Sequence, residues 1–197
     1  QNQTEVNAHT DEYGTVIQPN AQPGDIRFKD LNHDGKLDDN DKTFIGNAFP
    51  DLMVGINARL AWKNIDFAAN FYGTIGNDVY NTTKGRYSGV SGENVYAGTY
   101  NASWHGEGTS YDLPRLSYND ANQNWTRVSS FYVEDGSYLR CKQLQIGYTL
   151  PKKWTKKISL RLSFSAQNPF TITGYSGMDP EAAALGTEGK VTESGID

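Results

Sequence analysis

Leu52 to Trp62 reads LMVGINARLAW, and after Lys63 and Asn64 the chain continues from Asp66 to Ile75 as DFAANFYGTI. In the first run Leu52, Val54, Ile56, Ala58, Leu60 and Trp62 share one parity, opposite Met53, Gly55, Asn57, Arg59 and Ala61. In the second, Phe67, Ala69, Phe71, Gly73 and Ile75 oppose Asp66, Ala68, Asn70, Tyr72 and Thr74. An extended chain points successive side chains to opposite faces, so a period of two makes both runs strands with one apolar face. Lys63-Asn64 is then a tight turn, and the pair is a long hairpin.

Two more runs follow far downstream. From Ser137 to Leu150, Tyr138, Leu144, Ile146, Tyr148 and Leu150 share a parity against Cys141, Gln143, Gln145, Gly147 and Thr149, and Arg140 and Lys142 interrupt the apolar face near its start. Residues 151–157, PKKWTKK, are turn-like. Ile158 to Phe170 alternates again, with Ile158, Leu160, Leu162, Phe164, Ala166 and Phe170 against Ser159, Arg161, Ser163, Ser165 and Gln167; Asn168 and Pro169 disturb only its end. Strands of roughly 9 to 11 residues, joined by short turns and long loops in alternation, suit a tilted membrane-crossing sheet. A soluble sandwich also alternates, but its strands are nearer 5 to 6 residues. Trp62, Tyr148, Trp154 and Phe170 at strand ends fit an interfacial aromatic girdle. Four strands cannot close a barrel, and lipid admits no open edge, so the expectation is an all-β fragment of a larger antiparallel transmembrane barrel.

Composition narrows the function. Among 197 residues, Lys+Arg 18 against Asp+Glu 23 gives a net charge of -5, without the basic excess that nucleic acid requires. Cys141 is the single cysteine, which excludes a disulfide scaffold and a thiol-rich metal protein. No apolar run is long enough for a membrane-spanning helix. The first 50 residues are polar loop with one β-like run, Ile26 to Lys29, and residues 76–136 carry Gly, Asn, Ser and Tyr without a period. Tyr87, Tyr96, Tyr100, Trp104, Tyr111, Tyr118, Trp125 and Tyr132 in that stretch suit sugar stacking, a partner protein or plain loop packing. His9, His33 and His105 are scattered and read as solvated. HExxH, GxSxG, Walker and CxxC patterns are absent, so no enzyme is expected.

The sharpest motif is DLNHDGKLDDND, Asp30 to Asp41, which matches a 12-residue calcium loop at positions 1, 3, 5, 6, 9 and 12. Asp30, Asn32 and Asp34 would offer side-chain oxygens, Gly35 the sharp turn, Lys36 its carbonyl, and Asp38 a direct or water-mediated ligand. Asp41 would close the shell in place of the usual glutamate. Clustered carboxylates repel one another without a cation, which favours Ca²⁺ over a bare acidic turn. No long amphipathic helices flank the loop, so a structural clip is expected rather than a signalling hand. A dockerin-like module would need a second such loop.

Three blocks, Pro23 to Asn81, Val133 to Trp154 and Leu160 to Glu181, together resemble the C-terminal part of the SusC/RagA family of TonB-linked outer-membrane transporters. The shared features are the acidic loop leading into IGN, G-N-D-x-Y-N, E-D-G-S-Y-L-R, G-Y-T-L-P and S-A-Q-N-x-F-T. Cys141 stands where the family more often has an aliphatic residue, and Pro169 where it often has Leu. The resemblance implies a 22-stranded barrel with an N-terminal plug, TonB contacts near the N-terminus and a SusD-like lipoprotein lid. It also implies import of glycans or peptides, no bond chemistry, and a closing strand beyond Asp197. With the short turns periplasmic, residues 1–51 with the calcium motif, 76–136 and 171–197 would be extracellular, and 52–75 and 137–170 would be barrel hairpins. The alternative from another class is a secreted, calcium-stabilised β-sandwich that binds glycans through surface aromatics.

Overall fold

The computed structural model describes residues 2–87, 94–95, 97–156 and 158–183. The described chain divides into two compact units, one built from residues within 2–45 and 81–132, the other from residues within 46–80 and 133–183.

The second unit holds the sheet. Strands β1 (Leu52–Trp62), β2 (Ile65–Ile75), β5 (Tyr138–Thr149) and β6 (Arg161–Thr173) lie in the order β1-β2-β5-β6, antiparallel throughout. Two short strands, β3 (Asp78–Tyr80) and β4 (Val133–Asp135), pair with each other beyond the ends of β2 and β5. The β1–β2 register is unbroken from Leu52↔Ile75 to Trp62↔Ile65, so the two apolar parities fall on the same face.

A bulge corrects the sequence reading of β5. Asn70 pairs with Gln143 but Phe71 pairs with Cys141, leaving Lys142 as the extra residue on β5. One extra residue reverses parity, so upstream of it Leu139 and Cys141 take the apolar face and Tyr138 and Arg140 the polar one. Arg140 therefore does not interrupt the apolar face. Strand β6 answers with its own irregularity, because Cys141 pairs with Phe170 while Gln143 pairs with Gln167. Asn168 adopts a positive φ of 47° there, and Pro169, which has no N–H to donate, is tolerated at such a site. These two residues do not end the strand. It runs on to Thr173, and Ile158 to Leu160, expected within it, lie before it. Phe170 is consequently mid-strand, its ring 6.3 Å from that of Phe71, with buried Cys141 paired to both residues.

Among the described residues, no second sheet lies against the apolar face. Twelve of its large side chains are exposed: Leu52, Ile56, Leu60, Trp62, Ile65, Ile75, Ile146, Tyr148, Leu162, Phe164, Phe170 and Ile172. Burying one such group is worth roughly 1.5–3 kcal/mol, so this face in water would forgo more than the roughly 5–15 kcal/mol that stabilises a domain. A sandwich would cover it with a facing sheet, which disfavours that alternative.

The first unit is mostly irregular. It holds a short helix α1 (Gln3–Asn7) capped by Asn2, a one-turn helix α2 (Thr99–Ala102) and 3-10 turns at Asp39–Asp41, Thr82–Tyr87 and Ser130–Tyr132. Ile26 to Lys29, expected as a β-like run, forms no strand. Its backbone is held by side chains instead: Ile26 N–H donates to Asn124 and Phe28 N–H to Gln18. In the second unit PKKWTKK contains a one-turn helix, α3 (Lys152–Thr155), and α4 (Pro180–Ala183) follows β6. Tyr96 and residues 184–197 of the expected final loop lie outside the described residues.

Candidate functional site

The polar face of the sheet carries two charge clusters. Asp66, the second residue of β2, receives Arg161 of β6 through Nε at 3.2 Å and Nη2 at 2.5 Å, across the intervening strand β5. The pair passes over Gly147, where a Cβ would lie 2.5 Å from the guanidinium and from the carboxylate. Towards the other end, buried Arg140 donates to Thr171, Asp179 and Glu181, the latter two at 2.5 Å. Lys142, extruded by the bulge, adds a bond to Glu181 at 2.7 Å. These contacts fasten the segment after β6 to the polar side of the sheet.

The sequence blocks that carried the resemblance meet at structural corners. Asn47 of IGN and Asp78 of GNDVYN exchange bonds, Asp78 N–H to the Asn47 carbonyl at 2.7 Å and Asn47 N–H to the Asp78 carboxylate at 2.8 Å. Gly136 of EDGSYLR donates to the Asn77 carbonyl, and Ser137 accepts from Gly76, whose φ of +87° favours glycine. At the opposite end, Thr149 of GYTLP donates to the Asn64 carbonyl in the β1–β2 turn, and Leu150 to that of Leu160. SAQNPFT holds the irregularity of β6.

The acidic loop of the first unit is organised by its own backbone. Asp30 accepts from the N–H groups of His33 and Gly35, Asp34 from Lys36, Asp38 from Asn40, and Asp41 from Leu31 and Asp38. Asn32 accepts from the N–H of Asp34 and donates to its carboxylate. Gly35 makes the sharp turn at φ +79°. N–H donation from Asp38 and Leu31 holds the Asp41 carboxyl below its ordinary range. Among the described residues, no three His, Cys, Asp or Glu side chains are gathered so as to hold a metal ion.

A polar network joins distant parts of the first unit and was invisible in the sequence. Asp25, its side chain 1% exposed, takes Arg115 Nε at 2.6 Å, Asn124 Nδ2 at 2.7 Å and the Gln22 N–H at 2.8 Å. Asn122 bridges Gln18 and Asn124, and Asp120 caps the backbone of Asn124 and Trp125. Loop aromatics divide accordingly. Trp125 and Tyr132 are buried, the Tyr132 hydroxyl donating to the Trp125 carbonyl, whereas Tyr100, Tyr111 and Tyr118 are exposed. Burial also corrects the reading of His9: it is not solvated, and desolvation holds its imidazole below the ordinary range. His105 stacks on Tyr100 and its Nδ1 lies 2.9 Å from the Ser103 carbonyl, while His33 is exposed.

An exposed apolar face backed by a polar one is the pattern of a barrel wall, and comparison with known proteins agrees. TonB-dependent receptor P3 of Formosa agariphila is 37% identical over 170 residues, 85% of this chain and 16% of P3. TonB-dependent receptor SusC of Bacteroides thetaiotaomicron is 26% identical over 192 residues, 91% of this chain and 18% of SusC. The chain is a homologue of the SusC-type TonB-dependent receptors. No protein-family profile matches it. The RagAB peptide importer in its open-open state superposes with a TM-score of 0.53 at 25% identity, over 68% of this chain and 15% of that one. The closed-closed state, at 22% identity, shows the same fold with a TM-score of 0.56 over 90% of this chain and 18% of the importer. This SusC-type homologue spans less than a fifth of the curated relatives it matches. Its sheet has the fold of a β-barrel wall segment, and the proteins it resembles are TonB-dependent receptors and a peptide importer.

Proposed function

We propose that this chain is the C-terminal barrel segment of a TonB-dependent outer-membrane transporter that imports oligosaccharides or oligopeptides beneath a SusD-like lipoprotein lid. The observation that carries this reading is the four-stranded sheet with one continuous exposed apolar face and one polar face holding paired charges. Lipid would cover the first and the lumen or plug would meet the second. The outer edges of β1 and β6, unpaired among the described residues, are where neighbouring strands would continue the barrel. With the Lys63-Asn64 turn and the β5–β6 connection periplasmic, residues 1–51, 76–136 and 171–197 face outward, and TonB engages the N-terminal part of the whole transporter.

The loop from Asp30 to Asp41 takes Ca²⁺ in this reading. Asp30, Asn32, Asp34, the Lys36 carbonyl, Asp38 and Asp41 supply oxygen donors in one turn of chain, a hard donor set suited to calcium. The ion would stiffen a surface loop where the lid or substrate docks.

Purification of the intact transporter from native membranes tests the main claim. A detergent-dependent polypeptide about five times this length, accompanied by a lipoprotein, supports it, as the relatives' coverage indicates. A polypeptide that stays monodisperse without detergent overturns it. Uptake of labelled oligosaccharides against labelled oligopeptides then assigns the substrate class.

A further inference from the structure

We propose that the turn end of the sheet is a binding site for anionic phospholipid headgroups, held through their phosphates. The proposal rests on reading the sheet as membrane-embedded, and its occupant is argued from charge, aromatic placement and continuity with the apolar face.

Two backbone bonds bring the relevant residues to one end. Thr149 N–H donates to the Asn64 carbonyl and Leu150 N–H to the Leu160 carbonyl, both at 2.8 Å, so the β1–β2 turn and the β5–β6 connection share that end. Lys63 sits in the first, and Lys152, Lys153 and Lys156 in the second, all exposed and, among the described residues, without an acidic partner. Among the described residues, Asp66 at this end is taken by Arg161.

The opposite end has the reverse sign. It holds Asp51, Asp78, Glu134, Asp135, Asp179 and Glu181 against Arg140 and Lys142, which are taken up by the last two acids, so the balance there stays negative. In a chain of net charge -5, four unpaired lysines confined to one end of a sheet are a local reversal, not a general basic surface. Trp62 and Trp154, 67% and 70% exposed, stand at the same end as these lysines, and Lys63 Nζ lies 4.6 Å from the Trp62 ring centre. Amphipathic rings settle at the headgroup level, and lysine stems lie along apolar surface while the ammonium reaches phosphate. Trp62, Ile65, Tyr148 and Leu162 continue from this end into the apolar face, so acyl chains and headgroup meet one uninterrupted surface.

The test uses the intact transporter in nanodiscs and in native mass spectrometry, with phosphatidylglycerol and phosphatidylcholine in competition. Native protein should retain phosphatidylglycerol preferentially at low salt, by a factor on the order of five for each engaged lysine. The combined variant Lys63→Gln, Lys152→Gln, Lys153→Gln, Lys156→Gln should fall to parity, whereas Lys29→Gln with Lys42→Gln should keep the preference. Equal retention of both lipids by the native protein, or an unchanged preference in the fourfold variant, overturns the site. Inorganic phosphate that abolishes the preference beyond the effect of sodium chloride at equal ionic strength reassigns it to free phosphate and overturns the lipid. Failure to enter nanodiscs at all, with solubility in plain buffer, removes the membrane reading itself, a result distinct from entry without lipid preference.

Discussion

Asp66 and Arg161 clasp each other above Gly147, linking the second and fourth strands of the sheet across the third. Both partners are over a third exposed, so solvent screens the pair and it adds little to stability. Gly147→Ala would push apart only the ends of two flexible side chains, and the expected cost is correspondingly small. Gly73→Ala is the contrast, because its Cβ would lie 2.3 Å from the Tyr138 carbonyl, a backbone atom within the β2–β5 ladder. That variant should lose the heat-resistant compact band of the intact barrel on gels, while Gly147→Ala keeps it.

Arg140 is the pin of the segment after β6. Arg140→Met leaves Asp179 and Thr171 without their guanidinium and strips Glu181 of one of two cations. The acids are more than a third exposed, so the loss should be about 1–3 kcal/mol, below that of a fully buried pair. Limited proteolysis should then cut between Gly174 and Glu181. Arg140→Lys should protect only partly, since an ammonium cannot span three acceptors in one plane.

Arg115→Met would leave the Asp25 carboxylate enclosed with only Asn124 and the Gln22 N–H as donors. Removing one partner of a buried pair costs roughly 3–5 kcal/mol. Hydrogen exchange should accelerate together at 18–28 and 120–126, two segments tied by this network. Acceleration confined to the neighbourhood of residue 115 would show that the network is not cooperative.

The acidic loop should depend on pH and on calcium. Asp41 has its folded pKa held below its ordinary value of 3.8, so its stabilising effect is present above that value and is lost as pH falls through the lower, folded one. Hydrogen exchange at Leu31 and Asp38, corrected for the intrinsic rate, should rise over that interval, and Asp41→Asn should abolish the dependence. Calorimetry should detect one Ca²⁺ on the intact protein, weakened at least about tenfold in Asp34→Ala by loss of a charged oxygen donor. No calcium heat in the native protein would remove the metal from this loop.

The sequence alone determined β1, its turn and β2 nearly to the residue, because a strand's two-residue period is local and nothing in those segments interrupts it. It also marked the acidic loop as one unit, since its spacing is set within 12 residues. Only the tertiary structure decided the faces of β5 and the length of β6. A bulge at Lys142 shifts parity by one, and that shift exists only relative to Phe71 and Phe170 on the flanking strands. Asn168-Pro169 read as an ending because isolated strands tolerate neither well, yet the paired irregularity absorbs both. The Asp25–Arg115 and Arg140–Glu181 contacts were likewise beyond the sequence, with partners 90 and 41 residues apart brought together by chain folding rather than by spacing.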